Sequence, residues 1–445
     1  MKKRILVIFM TLVLVLCAGC AQTSASIPDP DAENSSSTGS ASESTKPSGS
    51  RVELQFWNHL NPTNALHQWC LDVVDEFNAS QDKYTIVFDS VPIDEYMNTK
   101  LPTAFATGSG PDIFYASPGN IGQFLDGEVC VPLEEYLTED EMNDFVSGTL
   151  DVSTRNGHLY GIPTMSDLCN FWYNADMLKE AGVEPPKTWS ELKSAAVACN
   201  TNEHSGFTFE INKGDWQTWS FMPFVWMQDG GDFFDEKGNP LLDSDQVINA
   251  LQLWRDLLDS GSCTETLSRS CSDIGILADG ETAMQMNGSW APAVLEANYP
   301  DVNLVAAEIP IPDENGHTAT VAGGWRVLVN KETASIEGCM EFIRFAYLDN
   351  PPEKSSSYLT YNFGYSARQS VIDANKDLYL KGQRAVFTEV LNPSAKAELA
   401  VPAEASEILS DMIQDALYNM TPTEAAQKAQ TKMLEFASSY NGILG

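Results

Sequence analysis

At 445 residues, with 43% hydrophobic, 10% aromatic and 20% charged residues, the chain has room for two or three domains of about 100 to 200 residues each. That balance excludes a single small module and a disordered or fibrous protein. Lys and Arg number 26 against 62 Asp and Glu, a formal charge of −36, which argues against a phosphate-neutralising nucleic-acid surface and against docking on anionic lipid through basic residues.

The chain opens Met-Lys-Lys-Arg and runs apolar from Ile5 to Leu16, interrupted only by Thr11. A positive start followed by so short an apolar run reads as an export signal, since a spanning helix needs about 20 such residues. The run ends in Cys17-Ala18-Gly19-Cys20, which resembles the bacterial lipoprotein box. That resemblance implies a signal peptide over 1–19, a lipidated Cys20 as the mature N-terminus, and a protein held at the outer face of the cell membrane. Removing Lys2, Lys3 and Arg4 leaves 23 basic residues against 62 acidic ones, a net charge of −39.

Residues 21 to 50 carry ten Ser and no aromatic, too little apolar surface to offset backbone ordering. They read as a tether with a reach of roughly 30 Å. Seven cysteines follow Cys20 (Cys70, Cys130, Cys169, Cys199, Cys263, Cys271 and Cys339), with no CxxC pair in the body, so neither a zinc ribbon nor a thioredoxin-like site is indicated. They read as small buried hydrophobes; Cys263 and Cys271 are close enough in sequence to bridge a short loop in an oxidising exterior.

The folded body starts with the alternating strand Val52 to Trp57. Leu66, Trp69, Cys70, Val73, Val74 and Phe77 then make one apolar stripe of a helix, and Tyr84 to Phe88 a second strand. Ile93 to Thr107 predicts another helix, and Asp112 to Tyr115 a short strand after the Gly108–Pro111 turn, a β-α-β order that predicts an α/β sheet of parallel strands. Further helices are expected near 174–182, 188–200, 245–260, 333–348, 403–419 and 423–440, with strands near 159–163, 303–307 and 321–329. Pro422-Thr423-Glu424 marks the start of the last helix.

Enzyme signatures are sparse. There is no GxxxxGK, GxSxG, HExxH or strand-following GxGxxG, and the five His are not at metal-ligand spacing. No metal or cofactor is therefore expected. A carboxylate pair for glycoside hydrolysis would arise by chance among 62 acids, so a secreted hydrolase is the weaker reading.

Six segments stand in a telling order. They are Phe56-Trp57-Asn58-His59; Leu101 to Ile113; Leu159-Tyr160-Gly161-Ile162-Pro163 with Trp172-Tyr173-Asn174; Ala181-Gly182-Val183 with Pro185 to Trp189; Gly280 to Met284 with Asn287-Gly288-Ser289-Trp290; and Val321-Ala322-Gly323-Gly324-Trp325. Together they resemble the solute-binding proteins of bacterial sugar ABC importers, the group that includes maltose-binding protein. The resemblance implies two α/β lobes joined by hinge crossovers, a carbohydrate gripped between them, membrane permease subunits as partners, a monomer and no catalysis. Lobe I would comprise 51–166 plus 325–370, and lobe II 167–324 plus 371–445. A polyamine, peptide or metal complex is the alternative ligand for the same fold.

Positions carried over from the family are Asn58 and His59 after the first strand, Ser117 and Asn120 after the third, Asp167, Trp290, Gly324 and Trp325. Asp167 stands seven residues before Asn174 and would accept from sugar hydroxyls; the alternative is a solvated loop carboxylate. Trp290 and Trp325 would offer ring faces to the sugar, with core packing as the alternative for each. Trp57 divides evenly between core and site, Trp219 lies in a segment the family uses as cleft wall, and Tyr365 begins a turn, Tyr365-Ser366-Ala367-Arg368, that differs from the family's usual one. Asp112, Tyr173 and Asn174 read as structural.

Overall fold

A computed structural model describes residues 51–60, 65–146, 149–266, 268–348, 365–440 and 444. The signal-peptide, lipid-site and tether expectations lie outside the described residues. Strand β1 (Val52–Asn58) is followed by α1 (Ala65–Ser80) and β2 (Tyr84–Ser90). The predicted stripe of α1 is buried at every position, Leu66, Trp69, Cys70, Val73, Val74 and Phe77. After β2 the expected long helix arrives in three pieces, Ile93–Glu95, a wide turn at Tyr96–Lys100, and Leu101–Ala106. Pro102 explains the break, because it has no N–H to bond the carbonyl one turn back.

β3 (Ile113–Ala116) leads into α2 (Pro118–Asp126), and β4 (Gly161–Pro163) is separated by a short connection from β5 (Cys169–Asn174). The chain continues through helices α3 (Ala175–Ala181), α4 (Trp189–Cys199), α5 (Asp215–Trp226) and α6 (Asp245–Asp259). Then come β6 (Met284–Gly288), α7 (Ala291–Asn298), β7 (Leu304–Ala307) and β8 (Thr320–Ala322). β9 (Arg326–Val329), α8 (Ile336–Ile343), β10 (Ala395–Ala397), α9 (Ala403–Gln414) and α10 (Pro422–Ser439) complete the body. The start of α10 is fixed by a reciprocal cap between Thr421 and Glu424 with Pro422 at its first position.

Two sheets organise these elements. The first has order β2-β1-β3-β9-β4 and the second β6-β5-β7, while β8 pairs in parallel with β10. Each sheet is covered on both faces. Leu54, Phe56, Ile113, Tyr115, Val327 and Val329 pack one way from the first sheet, and Phe114, Ala116 and Leu328 the other. In the second, Cys169 and Phe171 face one core and Leu168 and Trp172 the opposite one. Period-two alternation with apolar cores on both sides is the signature of an α/β layer.

The parallel sheet expected from the β-α-β opening stands for its own three strands, and the later strands depart from it. Within the two sheets, β1, β2 and β3 run parallel, whereas β9 is antiparallel to β3 and β4, and β5 is antiparallel to both β6 and β7. The reason is the route of the chain, which re-enters the first sheet at Arg326 from the second, opposite the last residues of β3 and β4. Arg326 pairs with Ala116 and with Pro163. The single strand expected over 321–329 is likewise two strands, one in each body, broken at Gly323-Gly324-Trp325. Gly324 adopts φ +102°, and a Cβ there would run into the Met165 carbonyl, so this passage between the bodies requires glycine. All seven body cysteines are free and buried, Cys263 and Cys271 among them.

Candidate functional site

The ends of β1, β3, β4 and β6, and the starts of β5 and β9, fall along one seam between the two sheets. Open α/β sheets bind ligands at such strand ends. On the second body, α5 presents Trp216 and Trp219, one helical turn apart and stacked with ring centroids 5.0 Å apart. Trp290, placed by the turn after β6, lies edge-on to Trp216 at 5.5 Å and tilted over Trp219 at 6.1 Å. Its Nε1 donates to the Ser272 carbonyl at 3.3 Å, which fixes the ring. These three indoles form an aromatic wall.

Three buried charged groups stand beside it: Asp167 on the passage into β5, Arg326 at the start of β9, and Glu398 after β10, at 7%, 4% and 8% exposure. Two acids share one cation, so neither is fully compensated. Burial pushes the Asp167 carboxyl up to about 7, against the opposing pull of the Ser289 hydroxyl and Arg326. Burial and then Asp215 push Glu398 up to about 8, while Arg326 and the Gly119 N–H hold it down. Desolvation brings Arg326 down to about 10. Arg326 donates through Nη1 to the Gly324 carbonyl at 3.1 Å, and Asp167 Oδ1 has no hydrogen-bond partner within the chain.

On the first body, His59 lies flat on Trp325 with ring centroids 3.6 Å apart. Burial holds that imidazole down to about 3, so it is a neutral aromatic plate at physiological pH. Ser117 and Asn120 cap α2: Asn120 Oδ1 accepts the Ser117 N–H at 2.7 Å, and its Nδ2 donates to Met97 Sδ at 3.0 Å. The same helix start reaches the second body, where the Gly119 N–H donates to Glu398 Oε1 at 2.9 Å. At Gly323 a Cβ would lie 2.5 Å from Trp219 Nε1 and 2.7 Å from Glu398 Oε2, so the aromatic wall and the acid meet there.

Of the residues expected from sequence, Asp167, Trp219, Trp290 and Gly324 gather at the seam, with Ser117 and Asn120 at the helix that meets Glu398 and with His59 stacked on Trp325. Trp57 is turned to the other side of β1, beneath the Lys100 ammonium at 4.3 Å. Asn58 is fully buried, donating to Cys70 Sγ and accepting from Leu60. Tyr365 pairs its backbone with Ser166 but stacks its ring on Tyr379 at 4.8 Å and bonds Thr388 through its hydroxyl. Trp216, Arg326 and Glu398 were not anticipated. A Trp three residues before Trp219 and an Arg opening an otherwise apolar strand were visible signals; Glu398, in Ala-Lys-Ala-Glu-Leu-Ala, carried none.

A cavity of about 520 Å3 lies elsewhere on the second body, lined by Trp189, Lys193, Asn249, Asp256 and Asn315 among others. Several of its polar side chains satisfy one another, Lys193 with Asp256 at 2.8 Å and Asn249 with Gln228 at 3.3 Å. The seam, with its unpartnered carboxylate oxygen and three indoles, is the better-equipped place to hold a ligand. Ring faces and fixed hydrogen-bonding groups suit a solute with both apolar faces and polar edges.

Two sheet-centred lobes meeting at such a seam define a two-lobed, cleft-type binding protein. The chain belongs to the bacterial extracellular solute-binding protein family, whose profile matches residues 68–349. It is 29% identical over 322 residues to an arabinooligosaccharide-binding protein of Bacillus subtilis, covering 69% of this chain and 71% of that one. A protein of the same description from Halalkalibacterium halodurans is 26% identical over 406 residues, covering 85% and 88%. An ABC transporter solute-binding protein of Thermotoga lettingae, solved with α-D-tagatose, matches the fold with a TM-score of 0.76 at 24% identity, over 86% of this chain and 99% of its own.

Proposed function

We propose that the protein captures a sugar or short oligosaccharide outside the cell and delivers it to the permease subunits of an ABC importer, without chemical change to the ligand. The lobes are taken as 51–166 plus 325–370 and 167–324 plus 371–445, with Asp167, Trp219, Trp290, Trp325 and His59 at the site. The observation that carries this reading is the wall of Trp216, Trp219 and Trp290 beside two buried acids. Indole faces cover sugar C–H faces while carboxyl groups bond the hydroxyls at the edge. The alternative of a cationic ligand such as a polyamine fits less well. With values near 7 and 8, Asp167 and Glu398 together carry less than one full negative charge at neutral pH, and the Arg326 guanidinium beside them opposes a second cation.

Calorimetric titration with arabinotriose, maltotriose and spermidine tests the reading. Heat is expected with a saccharide, which chromatography should recover intact. Trp290→Ala is expected to weaken that binding by about 1 to 3 kcal/mol while leaving the fold in place, because the ring is only half-buried. Binding of spermidine alone, or parental affinity in the variant, would remove the sugar site from this wall.

The reading extends to attachment: lipid on Cys20 anchors a monomer to the outer face of the membrane, with residues 21–50 as tether. Cys20→Ser should move the protein from the membrane fraction to the medium. Retention after a high-salt wash would rule out lipid as the anchor.

A further inference from the structure

Glu398 is placed to do more than bind. Its Oε1 accepts the N–H of Gly119, the second residue of the nine-residue helix α2. Glycines at 119 and 122 clear one face of that helix: a Cβ at 119 would lie 2.6 Å from Glu398 Oε1, and one at 122 would lie 3.2 Å from the Val401 carbonyl. The segment from Glu398 to Val401 thus fits against α2 over a full helical turn, a contact between the two lobes that larger side chains would prevent.

The charges facing Glu398 are unequal. α5 contributes Asp215, the passage into β5 contributes Asp167, and β9 contributes Arg326. α2 offers its amide and the positive end of its dipole. On β10, just before it, Lys396 is engaged with Asp232 at 2.8 Å. We propose that Glu398 is the positioning residue of the cleft, a carboxyl on the second lobe that seats the N-terminus of α2 across the seam. The proposal rests on the solute-capture reading, but part of its test does not need a ligand.

The sign follows from linkage. Were the lobes to separate, the carboxyl would meet solvent and return to its ordinary value of about 4.3. In the closed seam, burial raises it to about 8, so the closed form binds the proton more tightly. The contribution to closure is full below the ordinary value and is lost as pH rises through about 8. The neutral acid still accepts from Gly119 through its carbonyl oxygen.

Hydrogen exchange of the full chain at pH 6 and pH 9, corrected for intrinsic amide chemistry, reads this contact without ligand. The segment from Ser117 to Ile121 should exchange about tenfold more slowly at pH 6 than at pH 9. Glu398→Gln, which keeps the acceptor and cannot titrate, should abolish the difference while keeping protection. Glu398→Ala should lose protection at both pH values. Arabinotriose affinity should fall about tenfold over the same range in the parent and stay level in Glu398→Gln. Equal protection at both pH values in the parent overturns the proposal. So does a pH difference that survives Glu398→Gln but vanishes in Asp167→Asn, which would make Asp167 the proton site. Failure to bind any saccharide with the exchange pattern intact would instead overturn the sugar reading alone.

Discussion

Replacing Arg326 with Met is expected to cost about 3 to 5 kcal/mol of unfolding free energy at pH 8 to 9, the penalty for leaving buried charge without its partner. Arg326 is the cation that both Asp167 and Glu398 feel, and it is 4% exposed. Met keeps most of the stem and discards only the guanidinium. The cost should be strongly pH-dependent. Both acids have native values raised above the ordinary carboxylate range, to about 7 and about 8. Their protonated forms are therefore the ones the fold favours, and that favour is lost as pH rises through those values. Below about pH 6 both are neutral in the variant, and the missing cation matters little. Urea unfolding at pH 5.5 and pH 8.5 checks this; an equal cost at both would show that Arg326 acts through packing alone.

An effect of similar size is expected at Trp254, on the face of α6 that packs against α5. Its ring is fully buried and meets Phe209 at 4.6 Å, Phe221 at 5.0 Å and Phe224 at 5.8 Å. Phe221 and Phe224 lie on α5, the helix that carries Trp216 and Trp219 toward the seam. Trp254→Ala should cost about 3 to 5 kcal/mol through lost burial and an unfilled cavity. Because the cavity lies under the aromatic wall, saccharide affinity of the folded fraction should fall only a few-fold. Thermal melts and titrations on one sample separate these terms. A stable variant that binds poorly would mean that the core under α5 serves the site more than the fold.

Much of this architecture was legible because its signals are local. The stripe of α1, the Pro422 start of α10 and the alternation in β1 need only near neighbours, and each stands where the pattern placed it. The direction of the strands after β3 was not legible, because it depends on which lobe the chain has just left. The split of 321–329 had a visible cause in Gly323-Gly324, yet two glycines in a strand pattern also suit a bulge. In the cleft, indoles beside turns were easy to nominate. Glu398 was invisible, since its role comes from Gly119 and Asp215, which are far away in sequence. Asn58 shows the converse: it ends β1, where a cleft residue could stand, but its side chain turns inward to Cys70.

Gly323 gives this cleft a particular way to diversify. Trp219 and Glu398 converge on the space its missing side chain leaves open. A change at 323 itself would push both partners at once, so the position is poor ground for gradual change. Trp219 and Glu398 come from separate helical and strand-end segments and can vary one at a time over an unchanged backbone. Relatives that have drifted toward different solutes would therefore be expected to retain the glycine and trade the two residues around it, which makes that pair the natural first target for redirecting what the protein accepts.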